Sequence, residues 1–550
     1  MGSNKNIGRK LNDFFSGWER IRVVLLGSKS TGKTVFMTSV GAQLRNHDKS
    51  VFDLRGWTVE FDPDEDAKIQ ERVLKSSAPR RRQPAAADAK IQERVPKSSI
   101  KAFPYADFRK DLAKGEWPTK TEDGFSVLTV PFTLEKTDSE ERHLIQRVLL
   151  RMSETHEVKK QRRILLEMLD LPGERVADFA MLGRSYREWC NWMENRFGGT
   201  LGSSEYFKNY LKRVSTLGGG DPDNKKKAID FYKDFLADEF ANLSLSITPS
   251  TVKYTCNKCL YRDKCPYRDK CNERRYNRDK CQCPKEELPE LTREERRELI
   301  REGLNEVPVG KSKDLQFIPL PKESFAKGSS HAGWIKLFAK AYEAYKKSEI
   351  MPIAAWCEHA NSLLYFVDVL ELLRRGPEVY NTEKRFAEQA LGFFKHRRPD
   401  NILMKPIKGL ADWFVTHLDS VQIIATKTDC AGNQGTKMLK LAQKMMEPVV
   451  RTMGIDRVEY ASCAAVATAG IYKDRHAISA RIKKGNEIQE ETILVDEVPG
   501  DWPESVKWRR DFNWQDTFPL FDERDDVPPR QTGLDKIIRC VLNIPDETKK

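Results

Sequence analysis

The chain has 550 residues, 39% hydrophobic and 32% charged, with a net charge of +13 from 95 basic against 82 acidic side chains. At about 150 residues per domain this is material for three or four domains, and the high charge predicts a genuine core carrying long solvated insertions. No apolar run approaches the ~20 residues that span a bilayer and the amino terminus lacks an apolar signal region, so an integral membrane or exported protein is not expected.

The expected location is the cytoplasm, with peripheral attachment at the inner membrane left open. Met1-Gly2 starts like an acylation site, but Asn6 stands where Ser or Thr is needed. The 11 cysteines are expected as reduced thiols or metal ligands. The basic excess favours anionic partners; a charged surface with a modest surplus of one sign is the plainer reading.

Taken in chain order, Ile7, Leu11, Phe14, Phe15 and Trp18 share one face of a helix over 7–18. It is expected to cap the core; a helix that meets a membrane surface or a partner is the alternative. Arg22 to Leu26 reads as a buried strand and Val35 to Arg45 as a helix. "DAKIQERVLKSS" (66–77) returns with one change as "DAKIQERVPKSS" (88–99). Two copies are too few for a stacked array, so 62–100 reads as a flexible duplicated insertion. "FSVLTVPFTL" (125–134) and "RRILLEMLDLPGE" (162–174) read as strands, and 181–358 is mostly helical. Strands return at "SLLYFVDVLELL" (362–373), "VQIIATKTD" (421–429) and "VEYASCAA" (458–465). Alternating strands and helices predict an α/β fold with a mostly parallel sheet. Its core is expected in two parts, 1–180 and 359–550, around a helical insertion at 181–358 with a Cys-rich segment at 251–285.

"GSKSTGKT" (27–34) fits G-x-x-x-x-G-K-[ST] between a strand and a helix. Backbone N–H groups of Ser30, Thr31, Gly32, Lys33, Thr34 and Val35 can cradle phosphate oxygens there, beside the positive end of the following helix. Lys33 would reach the β- and γ-phosphates, and the Thr34 hydroxyl would bind Mg2+. "LDLPGE" places Asp170 at a strand end, suited to Mg2+ through a water, and Gly173 three residues on, where the absent Cβ allows an N–H to approach the γ-phosphate. "TKTD" (426–429) follows another apolar strand. Asp429 can accept the two protons that guanine presents at N1 and N2, a pair adenine lacks, and the stem of Lys427 can lie on the purine face. Thr426 stands where Asn is usual, which weakens a tie to the phosphate loop. Ser462, Cys463 and Ala464 end the next strand, where an N–H of Cys463 or Ala464 could mark guanine O6. All four pieces fall at carboxyl ends of strands, where open α/β sheets bind ligands. Thr121, with Thr119 as the alternative, is the first-switch ligand for Mg2+. Glu174 and Lys29 are catalytic candidates beside Lys33: Glu174 to orient water or to repel the γ-phosphate, Lys29 to neutralise developing charge or to point to solvent.

Together "GSKSTGKT", "GEWPTKT", "LDLPGERVADFAMLGRSYREW", "FIPLP", "AYEAYKKSEIMP", "YFVDVLELLRRGPE", "ATKTD" and "YASCAAVATAG" resemble the YcjX-like family of P-loop NTPases, in patches from about residue 10 to 545. The resemblance implies a Ras-like GTPase core with a helical insertion, guanine nucleotide (GTP/GDP) binding, a stress-linked bacterial setting and a membrane-anchored companion protein. The duplicated stretch and the cysteines depart from it.

Cys256, Cys259, Cys265, Cys271, Cys281 and Cys283 crowd into one segment. C-x-x-C with further thiolates nearby suits Zn2+, which would order a segment poor in apolar residues. The repeated Tyr-Arg-Asp-Lys-Cys and the C-x-C spacing speak for duplicated free thiols instead. The interleaved Arg, Lys and Tyr suit nucleic acid, though solvated loops are commoner. The expected function is a Mg2+-dependent, slow GTPase that switches conformation. The alternatives are an ATPase, or a non-hydrolysing scaffold whose nucleotide stabilises the fold.

Overall fold

Apolar runs ended by Gly, Asp, Thr or Cys form the strands of a central sheet, and the amphipathic stretches between them form helices. The computed structural model describes residues 17–28, 31–69, 100–114, 125–136, 161–171, 177–198, 204–219, 221–241, 292–306, 316–357, 359–395, 420–453, 458–466, 469–471, 477–484, 487–504, 508, 524 and 527–544. In chain order these hold β1 (Glu19–Gly27), α1 (Lys33–Arg45), β2 (Trp57–Glu60), β3 (Ile100–Ala102), α2 (Tyr105–Ala113), β4 (Phe125–Lys136) and β5 (Gln161–Asp170). Six helices follow: α3 (Tyr186–Gly198), α4 (Glu205–Ser215), α5 (Pro222–Ala241), α6 (Arg293–Glu306), α7 (Ala332–Tyr345) and α8 (Met351–Cys357). The chain then runs through β6 (Ser362–Val367), α9 (Val369–Arg375), α10 (Pro377–Lys395), β7 (Ser420–Thr426), α11 (Gly435–Met453), β8 (Val458–Cys463), β9 (Ala469–Ile471), β10 (Ala477–Lys484), β11 (Glu487–Leu494) and α12 (Leu534–Val541).

The main sheet has the order β2-β4-β5-β1-β6-β7-β8, with β3 beside β4. β5, β1, β6, β7 and β8 are mutually parallel, while β4 runs antiparallel to β5 and β2 antiparallel to β4. The expected mixed α/β architecture with a mostly parallel sheet is present. Register aligns the strand ends: Leu25 faces Asp170, Gly27 faces Phe366, Val367 faces Ala425 and Thr426 faces Cys463. One edge of the sheet therefore collects the ends of β5, β1, β6, β7 and β8.

Both faces of the sheet are covered, which is why its parallel strands read as unbroken apolar runs rather than alternating ones. On β1, Val24 and Leu26 join one apolar cluster with Trp189, Tyr232, Phe317 and Tyr342 from the helical stretch. Ile21, Val23 and Leu25 point the other way, into a cluster with Phe36, Phe108 and Ile538, as the two-residue period of a strand requires. The helical stretch shares one continuous core with the sheet.

Two sequence expectations change. The run 362–373 is not one strand: β6 stops at Val367, and Asp368 caps α9 by accepting a hydrogen bond from the Glu371 N–H at 3.1 Å. A separate antiparallel sheet, β9-β10-β11, lies outside what the sequence suggests; its charged alternation "ISARIKKGNEIQEETIL" carries too little apolar signal. β5 ends at Asp170, as the sequence places it. Of the expected helix 7–18, residues 7–16 lie outside the described residues; at its end the Arg163 guanidinium stacks 4.3 Å over the Trp18 ring. Among the described residues no helix is long and apolar enough to cross a membrane.

Candidate functional site

The loop after β1 turns because Gly27 and Gly32 adopt φ of +146° and +87°. At Gly27 a Cβ would sit 2.7 Å from the Phe366 carbonyl oxygen of β6, so only glycine lets the strand end pass its neighbour there. Gly32 caps α1, and its carbonyl accepts from the Phe36 N–H at 2.8 Å. Lys33 folds back over its own loop: the ammonium donates to the Gly27 and Ser28 carbonyls at 2.8 Å each. Thr31 closes the turn by donating its hydroxyl to the Ser28 carbonyl at 3.0 Å. Val35, in the first turn of α1, packs against Ala42, Leu112 and Val466. The loop thus holds a buried cation aimed at its own carbonyls, the arrangement a polyphosphate would displace.

Thr34 and Asp170 meet across the sheet. The Thr34 hydroxyl lies 3.5 Å from Asp170 Oδ2, contributed by two elements far apart in the chain. A hydroxyl beside a carboxylate is a pair of hard-oxygen donors of the kind that fits Mg2+.

Lys427 adopts φ of +55° at the start of the turn that carries Asp429, a strained conformation for a non-glycine residue. Its ammonium pairs with Asp368 at 2.7 Å. Thr426 donates its hydroxyl to the Val367 carbonyl at 3.3 Å, so its side chain is spent on β6 and not on the phosphate loop. The Asp429 turn lies beside the end of β8: Gly435 packs between Thr428 and the Ser462 hydroxyl. Burial, with the charges of Asp429 and Asp535 behind it, pushes the Cys463 thiol upward, so it stays protonated.

One expectation needs correction here. The Ala464 N–H donates to the Thr532 carbonyl at 3.0 Å, and the Thr532 N–H returns the bond at 2.9 Å. An N–H held in that two-way bridge is not offered to a base edge, which leaves Cys463 as the candidate main-chain donor. Two bonds from α1 brace these segments further: Ser39 donates to the Ala465 carbonyl just after β8, and Gln43 to the Pro529 carbonyl near Thr532.

Lys33, Thr34, Asp170, Lys427, Asp429, Ser462 and Cys463 are therefore gathered on one edge, as the register requires. Lys29, Ser30, Thr119, Thr121, Gly173, Glu174 and the six clustered cysteines lie outside the described residues. Among the described residues no group of three or more His, Cys, Asp or Glu could hold a metal ion. Two residues at the site were missed by sequence reasoning. Asp368 had a signal, an Asp placed between an apolar strand and a helical run. Glu383 had none: it sits inside α10, 6% exposed, and accepts a hydrogen bond from the Tyr365 hydroxyl at 2.8 Å.

The chain matches the family described as "YcjX-like family, DUF463" over residues 21–249 and 297–544. No curated protein matches it. The break between the two matched segments contains all six clustered cysteines. With well over half of its length matched, the chain belongs to the YcjX-like family.

Proposed function

We propose that the chain binds a guanine nucleoside triphosphate with Mg2+ along this edge of the sheet and hydrolyses it slowly as a conformational switch. The observation that carries the reading is the convergence of Lys33, the Thr34–Asp170 pair and the Asp429 turn from three strand ends. The strand order, with antiparallel β4 beside the β5 that ends in Asp170, supports a Ras-like P-loop core. Lys33 exchanges the Gly27 and Ser28 carbonyls for phosphate oxygens. Thr34 and Asp170 hold Mg2+, which when bound neutralises charge on the β- and γ-phosphates. Asp429 accepts the N1 and N2 protons of guanine, while Asp368 fixes Lys427 so that its stem lies along the base. Lys29 and Glu174 remain the catalytic candidates from the sequence, and turnover of Lys29→Ala and Glu174→Ala assigns them: unchanged rates in both remove them from catalysis.

Titration calorimetry with GTP, GDP and ATP tests the base assignment. GTP and GDP bind and ATP does not, and Asp429→Asn loses guanosine affinity while gaining xanthosine nucleotides. Equal affinity for ATP and GTP overturns it. One observation favours a second reading, an adenine-nucleotide enzyme: Thr426 bonds to Val367 instead of tying the base loop to the phosphate loop. Multiple-turnover phosphate release separates both enzymes from a scaffold that only holds nucleotide.

A further inference from the structure

α7, a π-helical turn (Lys346–Ile350) and α8 follow one another without a break, so 332–357 is one helical run. Its inner face is buried: Trp334, Phe338, Tyr342, Tyr345, Ile353 and Cys357 belong to the core shared with the sheet. The outer face is apolar and basic at once. Among the described residues three large apolar side chains are exposed, and two of them, Leu337 at 53% and Met351 at 38%, lie on this run. Lys336, Lys340 and Lys347 are exposed beside them. Lys346 pairs with Glu343 at 3.0 Å and Glu349 is buried. Lys336, Lys340 and Lys347 have no acidic partner among the described residues. The loop before α7 adds exposed Lys322 and Lys327 against one exposed acid, Glu323.

We propose that the outer face of this run docks on an anionic lipid surface, with Leu337 and Met351 entering the head-group layer and Lys336, Lys340 and Lys347 meeting lipid phosphates. The inference goes beyond the nucleotide reading and does not depend on it. Exposed apolar side chains grouped with cations of one sign are the pattern of a helix that lies in the bilayer interface. Lysine stems lie along an apolar boundary while their charges reach the head groups. A protein partner fits this face less well. Interfaces between proteins are poor in Lys and rich in Arg and aromatic residues, and this run has no Arg and exposes no aromatic side chain. With its inner face held in the core, the run presents its outer face ready-made and lies on the bilayer rather than across it.

The charge and apolar parts separate by magnitude. Each lysine near an anionic leaflet contributes about fivefold to partitioning, so three contribute about a hundredfold. That part fades as salt shortens the Debye length below about 10 Å. The part from Leu337 and Met351 follows the apolar area removed from water and is not screened.

Flotation of the full chain, without nucleotide, with vesicles of phosphatidylcholine alone or mixed with phosphatidylglycerol tests the proposal. The wild type floats with the mixed vesicles and not with phosphatidylcholine alone, and the bound fraction falls as salt rises. Lys336→Gln/Lys340→Gln/Lys347→Gln lowers the apparent affinity about a hundredfold. Leu337→Ser/Met351→Ser lowers it about tenfold or more, and what binding is left is more sensitive to salt. All five side chains are exposed, so both variants keep the wild-type melting temperature. Lys208→Gln/Lys212→Gln on α4, equally exposed, binds as the wild type does. A wild type that floats with neither vesicle overturns the proposal. So does an α4 variant that loses as much as the α7 one, which makes the binding general charge attraction. Unchanged binding in Leu337→Ser/Met351→Ser overturns it too, because a purely electrostatic contact suits an acidic protein surface equally well. Nucleotide takes no part in the assay, so failure here leaves the nucleotide reading intact.

Discussion

The Lys33 ammonium satisfies the carbonyls of Gly27 and Ser28; on the proposed function it exchanges them for phosphate oxygens. Hydrogen bonds to charged groups contribute about 1.5–3 kcal/mol each, so Lys33→Ala lowers nucleotide affinity by roughly ten- to a hundredfold or more. Titration calorimetry reads this directly, and unchanged affinity removes Lys33 from the site. Asp429 is a sharper test, because it concerns which base binds and not how tightly. On the proposed function its carboxylate depends on the turn that Lys427 begins, held at φ of +55° and paired with Asp368. Asp368→Asn keeps the helix cap but loses the ion pair. We expect it to weaken GTP and ATP binding unequally, guanine more, as read by competition between the two; equal weakening separates Lys427 from base reading.

At the scale of elements, the sheet holds the site through its strand ends. β1 is pinned to β5 by Glu167, which accepts from Arg20 at 2.6 Å and from Arg22 at 2.7 Å. Burial works against its charge, but the hydrogen bonds and charges of the two arginines win, and the carboxyl lies below its ordinary value. A carboxyl depressed in the folded state stabilises the fold above its unfolded value, and that contribution is lost as pH falls through the folded value. Glu167→Gln therefore lowers the melting temperature at neutral pH and shows a shallower loss on acidification than the wild type. Parallel acid limbs for the two proteins contradict this. Gly27→Ala puts a methyl group 2.7 Å from the Phe366 carbonyl oxygen. Strain of about 1–3 kcal/mol is expected, read as a lower melting temperature together with weaker nucleotide binding, because β1 and β6 must separate where the loop begins. At Gly533 a Cβ would lie 2.2 Å from the Ser462 carbonyl oxygen. The carboxy-terminal helix and the end of β8 are built against each other just as closely.

At the scale of the molecule, the helical stretch and the sheet share a core, so movement at one is felt by the other. Asp178, eight residues after Asp170, accepts from the Tyr345 hydroxyl at 2.9 Å. Tyr342 donates to the Met181 and Arg184 carbonyls, and Lys346 to the Arg184 carbonyl at 2.9 Å. These bonds join the chain just past β5 to the end of α7, where five residues, Lys346–Ile350, form a π-helical turn before α8. Such turns often mark functional positions. Tyr345→Phe removes one of these bonds without changing the fold. On the proposed function, amide exchange in α7 and α8 is expected to respond to exchanging GTP for GDP in the wild type and to respond less in Tyr345→Phe. A response that persists undiminished in Tyr345→Phe places the coupling elsewhere.

The glycine loop after β1, Asp170 at the end of β5 and the turn after β7 were legible in the chain alone, because each is a short motif at the end of an apolar run. The α/β class was legible for the same reason: buried parallel strands must be apolar throughout. Local spacing cannot say which strands are neighbours. Register alone brings Thr34 to Asp170, and only packing put the Ala464 N–H on Thr532 and the Thr426 hydroxyl on Val367. Asp368 turned an expected strand into a strand and a helix because a cap competes with strand continuation over one residue. Glu383 shows the limit most plainly. An acidic residue inside an amphipathic helix reads as solvated, and only the packing of α10 beside β6 removes it from water and sets it against the Tyr365 hydroxyl. Spacing along the chain determined which residues are candidates for the chemistry; the burial and charge around them arise between elements distant in sequence, and so tertiary structure decided those.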